Sequence, residues 1–299
     1  MTGKTTPTGI LLVGCARSGT TVAQREIAHA THALTLPETG FLQDICGDSR
    51  WHKYGTGGYH FFHRWRMAND RLWPRRRKAQ RMLARVAGEL SQPPPPTLPS
   101  KVSDALTPVT ELLERSAREA GAPAWIGKTP NNIYCLDEVS RWLSQLWAIH
   151  LVRDGCDTVA SLEDAARRYA GQPGHDFAIG MQANVARWNR AVRITRACLR
   201  RPRHLLLTYH DLVERRLHSL DPLFDALPRS ALDAPPDNVL ARDHEHWKQA
   251  AIDSPLCAAP GKFESVFDPQ QQAWVREHLL GGGDVQRAHG LGAQPAERA

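Results

Sequence analysis

Short apolar blocks alternate along the chain with longer stretches of helical period, the pattern of a parallel sheet whose strands are joined by helices. The blocks fall at residues 10–13, 32–36, 124–128, 146–152 and 204–209. The fourth, LWAIHLV, is continuous and apolar except for His150, as a strand covered on both faces requires. Helical segments are predicted at 22–30, 73–90, 107–120, 132–146, 156–170 and 177–199. The predicted fold class is therefore α/β, a central parallel sheet flanked by helices. Residues 41–123 break the alternation: aromatic and basic residues mix, Gly57 and Gly58 interrupt, and the run Pro93 to Pro96 cannot lie inside a helix. This stretch reads as a helical insertion in one domain spanning 1–299, either carrying binding contacts or serving as scaffold, and the end, 281–299, reads as a fraying tail.

The first block opens onto the chain's most informative stretch, TGILLVGCARSGTT from Thr8 to Thr21. Gly14 and Gly19 enclose four residues, and two hydroxyls follow. That spacing belongs to a loop whose backbone N–H groups converge with a helix dipole on a phosphate. The position after the second glycine holds Thr20 rather than the lysine that clamps a triphosphate, and the loop's cation is Arg17.

RSGTT resembles the loop of sulfotransferases that use 3′-phosphoadenylyl sulfate. WIGKTP (125–130) and HLVRDGCDTVAS (150–161) resemble that family's second and third motifs, in the family's order. The resemblance implies a three-layer P-loop fold and in-line transfer of a sulfuryl group to an acceptor hydroxyl or amine. It implies that Arg17, Ser18, Gly19, Thr20 and Thr21 hold the 5′-phosphate and that Arg153 and Ser161 hold the 3′-phosphate. Tyr209 then lies near the adenine, and Lys262 is a phosphate contact in a closing loop at 253–264. The histidine that serves as base in small-molecule sulfotransferases stands two places after the motif lysine, and here that place is Pro130. The tyrosylprotein and heparan branches place an acidic base after the second strand, and the matching residue is Glu38. Catalytic roles thus fall to Glu38, Lys128 and Arg17.

Each of these residues also has a plainer reading. Glu38 follows Pro37 and would suit the first turn of a helix. Lys128 would snorkel from a strand end, Arg153 would pair with Asp157 on a surface, and Tyr209 would be a half-buried strand-end ring. A small-molecule kinase or ATP hydrolase is the alternative enzyme class, and a nucleotide-binding module without turnover is the third.

Composition narrows the picture. The formal net charge is +7, with basic clusters at 64–78 and 200–203. No nucleic-acid reading motif accompanies it, so a polyanionic donor and solvated arginines explain the excess. Six cysteines, never closer than residues 135 and 156, make no paired-cysteine metal or redox signature and are expected to be reduced. His244, Glu245 and His246 alternate without a third ligand, so no metal is expected. With no apolar run of about 20 residues and no signal-peptide core, the expectation is a cytoplasmic protein without a membrane span. The acceptor class stays open among small molecule, glycan, lipid and peptide, as does the oligomeric state.

Overall fold

The computed structural model describes residues 6–47, 60–93, 97–169, 180–228 and 261–285, with Pro236, Ile252 and Leu256. Five parallel strands form its sheet: β1 (Thr8–Gly14), β2 (Leu34–Leu36), β3 (Ala124–Lys128), β4 (Trp147–Val152) and β5 (His204–Thr208), in the order β2-β3-β1-β4-β5. The helices are α1 (Thr20–Thr31), α2 (Phe41–Cys46), α3 (His60–Ala68), α4 (Arg76–Glu89), α5 (Val102–Glu119), α6 (Ile133–Val139), α7 (Gly155–Arg168), α8 (Met181–Cys198), α9 (Tyr209–Val213), α10 (Asp221–Ala226), α11 (Lys262–Val266) and α12 (Pro269–His278).

β1 is central because it is apolar on both sides of its pleat. Ile10 and Leu12 join one core with Ala23 and Ile27 of α1, while Leu11 and Val13 join the other with residues of α5, α6 and α8. Helices on both faces make three layers. The sheet order reverses at β1, whose neighbours are β3 and β4. The crevice at the carboxyl end of such a switch point is where ligands of open α/β sheets gather.

Three boundaries differ from the sequence reading, each for a physical reason. The helix expected from Thr107 begins at Val102 and carries Pro108 inside it. The buried stripe Val102, Ala105, Leu106, Val109, Leu112, Leu113 outweighs the one backbone bond that proline removes. The helix expected over 132–146 is short, with 3-10 turns at Pro130–Asn132 and Ser140–Trp142 on either side of α6. There the Ser140 hydroxyl donates back to the Leu136 carbonyl, which favours ending the helix before β4. Third, the turn Leu280–Gly283, expected to fray, is docked: Leu280 N–H donates to Asn189 Oδ1 at 2.9 Å, and Gly283 packs against the start of α7. The rest of that tail, 286–299, lies outside the described residues, as do the histidines at 244 and 246 and most of the loop at 253–264.

Candidate active site

The loop between β1 and α1 sits at the switch point. Its turn needs positive φ twice, at Arg17 (70°) and Gly19 (91°). Gly19 is further constrained because a Cβ there would lie 2.4 Å from Tyr209 Cε2. The ring of Tyr209 therefore packs on the loop itself, tying the start of α9 to the phosphate turn. The Ser18 hydroxyl is fully buried and finds no hydrogen-bond partner among the described residues. A buried hydroxyl without a partner costs about 1–3 kcal/mol, and a phosphate oxygen in the loop would satisfy it. Beneath the loop, Cys15 is buried and burial pushes its thiol up, against the lowering effect of Arg187. The Tyr134 hydroxyl donates to Cys15 Sγ (3.7 Å), and the buried Arg187 donates to Asn131 Oδ1 (2.7 Å).

Two groups of charged side chains face this loop. On the β3 side, Lys128 has its ammonium 2.8 Å from Glu38 Oε1 and 3.4 Å from Thr21 Oγ1. The lysine side chain is 0% exposed and the glutamate 27%. Glu38 is no helix-start carboxylate, because α2 begins only at Phe41. It lies in a loop held by Gly40 N–H to Thr129 Oγ1 (3.1 Å) and by Arg85 to the Thr39 carbonyl (3.0 Å).

On the β4 side, Arg17 Nε reaches Ser161 Oγ of α7 at 3.4 Å. Burial lowers the Arg17 pKa; Tyr169 and Asp164 oppose the shift, whereas Arg153 and Arg168 add to it. A dense positive field thus surrounds the loop. Arg153 pairs with Asp157 (2.9 Å), lies over the Tyr209 ring with Cζ 4.8 Å from its centroid, and keeps a buried Nε without a partner among the described residues. Its ion pair with Asp157 is real, yet only 11% of the arginine side chain is exposed, so it is no surface pair. Beside Arg153 and Tyr209 opens a cavity of about 640 Å³ at the carboxyl ends of β4 and β5, within the size range of small-molecule sites. Lys262 stands one step back: its ammonium binds Asp164 Oδ2 at 2.9 Å, and Asp164 in turn acts on Arg17. Burial would raise Asp164, but Lys262 and Arg168 outweigh it and hold its carboxyl below the usual range.

The structure thus gathers Arg17, Ser18, Thr20, Thr21, Lys128, Glu38 and Ser161 around one loop and sets Arg153 and Tyr209 at its flank. Sequence reasoning passed over Arg187, hidden in a helix stripe, and Asn132, a residue 1% exposed whose side-chain amide has no partner among the described residues. The only signal for Asn132 was its place just after KTP. A His–Cys group, His150, Cys198 and His204, has ligand atoms within 4.8 Å near the amino end of β5, away from this site. There His150 Nε2 and His204 Nδ1 already lie 2.9 Å apart in a hydrogen bond.

Against this geometry stand the comparisons with known proteins. The family model described as "Sulfotransferase family" matches residues 7–230, well over half the chain. Among solved structures, the crystal structure of sulfotransferase STF1 from Mycobacterium tuberculosis H37Rv is similar, with a TM-score of 0.45 and 16% identity over 93% of this chain and 77% of that one. No curated protein matches.

Proposed function

This chain belongs to the sulfotransferase family, and from that membership we propose that it transfers the sulfuryl group of 3′-phosphoadenylyl sulfate to an acceptor hydroxyl or amine. The observation that carries the reading is the buried Lys128, bonded at once to Thr21 of the phosphate loop and to Glu38. A lysine fully enclosed between an anion-binding turn and a carboxylate is placed to share itself between the two. In the donor complex, the loop amides, Ser18 and Arg17 hold the 5′-phosphate, and the Lys128 ammonium turns to the sulfonate and bridging oxygens. Drawing Lys128 away frees Glu38 to accept the acceptor proton. The acceptor oxygen then bonds sulfur as the sulfur–oxygen bond to the 5′-phosphate breaks, and the electron pair leaves with adenosine 3′,5′-bisphosphate. Alignment and charge stabilisation supply the catalysis. The scheme needs no metal.

The 3′-phosphate belongs, in this reading, to the β4 side, where Arg153 Nε has no partner among the described residues and Ser161 already shares a hydrogen bond with Arg17. Adenine takes the cavity beside Tyr209. Calorimetry separates this from an ATP-using enzyme: the bisphosphate binds without magnesium and ATP binds at least about tenfold more weakly, for lack of a lysine at Thr20. In a radiosulfate transfer assay, Lys128→Ala and Glu38→Gln each lose about 10²-fold or more in turnover while retaining bisphosphate binding. Near wild-type turnover in both variants would overturn the roles, and binding without transfer by the native chain would leave a nucleotide-binding module.

A further inference from the structure

We infer that the outer face of α3 and α4 is a docking surface for an anionic phospholipid bilayer. Phe61 (86% exposed), Trp65 (51%) and Trp73 (66%) are the large hydrophobic side chains left in solvent among the described residues. Phe61, Arg64, Trp65 and Ala68 follow helical spacing along one exposed stripe of α3. Trp65 stacks on Phe62 (6.0 Å between centroids), and Trp73 meets Phe62 edge-on (5.9 Å). The partly buried Phe62 thus joins the exposed Trp65 and Trp73.

The helix beneath them is firmly held. His63 Nε2 contacts Glu138 Oε2 at 2.7 Å, and the buried Arg66 donates to the carbonyls of Arg71 (2.9 Å) and Cys46. The outward stripe is thus a consequence of anchoring the inward one. A contiguous exposed aromatic patch on a well-anchored helix marks an interaction site.

Charge selects the partner. From His60 to Glu89 the sequence carries nine arginines and lysines against two acids, Glu89, which lies 4.0 Å from Arg85, and Asp70. The Asp70 carboxylate is occupied by the Ser103 N–H (2.9 Å) and hydroxyl (2.6 Å). Four positions beyond Trp73, Arg77 begins a hollow of about 670 Å³ that it lines with Arg76, Gln80, Arg81 and Thr97. Arg64, Arg77 and Arg81 form no ion pair among the described residues. A soluble polyanion would use these cations but leave Phe61, which has no polar handle, in water. A protein partner would need a matching set of acidic groups beside an apolar core to use both. An anionic bilayer takes both: aromatic rings settle at the headgroup and acyl boundary while guanidiniums meet phosphates.

The face also leads to the candidate active site. Arg77, Arg81 and Arg85 repeat every fourth residue on α4, and Arg85 holds the loop of Glu38 through Thr39, about 12 Å along the helix axis from Arg77. Docking does not depend on the sulfotransfer reading. Only its use, bringing Glu38 towards headgroup hydroxyls, rests on it.

Co-sedimentation of the full chain with vesicles, without nucleotide, tests the inference. Binding is expected to phosphatidylglycerol-containing vesicles and not to pure phosphatidylcholine. Phe61→Ser with Trp65→Ser weakens it about tenfold or more, and Arg77→Gln or Arg81→Gln about fivefold each. Brominated acyl chains quench native tryptophan fluorescence, and the quenching falls in Trp65→Phe with Trp73→Phe. Melting temperature and circular dichroism confirm folding of each variant. Absent or charge-independent binding overturns the inference, as does unchanged binding by the folded variants. Capture of heparin but not of anionic vesicles reassigns the face to a glycan, and self-association lost in the Phe61/Trp65 variant reassigns it to a second copy.

Discussion

Arginine is used in opposite ways in two regions of this molecule. Around the phosphate loop, Arg17, Arg153 and Arg187 are enclosed, and each has a defined contact: Ser161, Asp157 and Asn131. On α3 and α4, Arg64, Arg77 and Arg81 stand in solvent. An enclosed guanidinium is fixed in place by neighbours that must be right, so it can orient one anion. An exposed one keeps its freedom and attracts charge without orienting it. The same residue type thus serves fixed geometry in one region and general attraction in the other.

Arg66 sharpens this contrast from within the insertion, because it is as buried as the loop arginines. Arg66→Ala strips donors from the carbonyls of Arg71 and Cys46 and is expected to lower unfolding free energy by about 3 kcal/mol in urea titration. A neutral result would show that burial alone does not make an arginine structural here. At the loop, Gly19→Ala meets both the positive φ and the Tyr209 ring, and a cost of about 1–3 kcal/mol with weakened bisphosphate binding is expected.

A third measurement uses pH. Burial, with help from Arg201, pushes His204 down to about 4 from an ordinary 6.5. The unfolded chain binds this proton first, so the contribution is complete above pH 6.5 and is lost as pH falls towards 4. Allowing for partial solvent screening, the loss is about 1–2 kcal/mol. His204→Gln should flatten that part of the stability curve, and an unchanged slope would clear His204 of the role. The smallest effect belongs to the exposed side: Arg77→Gln with Arg81→Gln should shift unfolding free energy by less than about 0.5 kcal/mol. A larger shift would mean that the exposed arginines are structural after all, and the contrast would fail.

The α/β fold was legible in the sequence because its strands are largely apolar blocks, and β3 matched the expected residues from Ala124 to Lys128. The loop was legible because few residue types fit its turn. Helix boundaries were less so: the helix expected from Thr107 begins at Val102, because the buried stripe runs on past Pro108 in both directions. Contacts between distant segments were not legible at all. Spacing gave no sign that Ser161 would share a hydrogen bond with Arg17, 144 positions away. Nor could spacing show that Glu38 and Lys128, ninety positions apart, would meet at 2.8 Å. Such pairings depend on the order in which strands assemble, which local pattern does not encode.

Cys15 gives the loop a built-in clock. Its thiol is sealed beneath the turn and held protonated by its surroundings, so alkylating reagents can reach it only when β1 and α1 part. The rate at which it takes up label therefore counts openings of the turn, and any occupant that clasps the turn shut will slow the count.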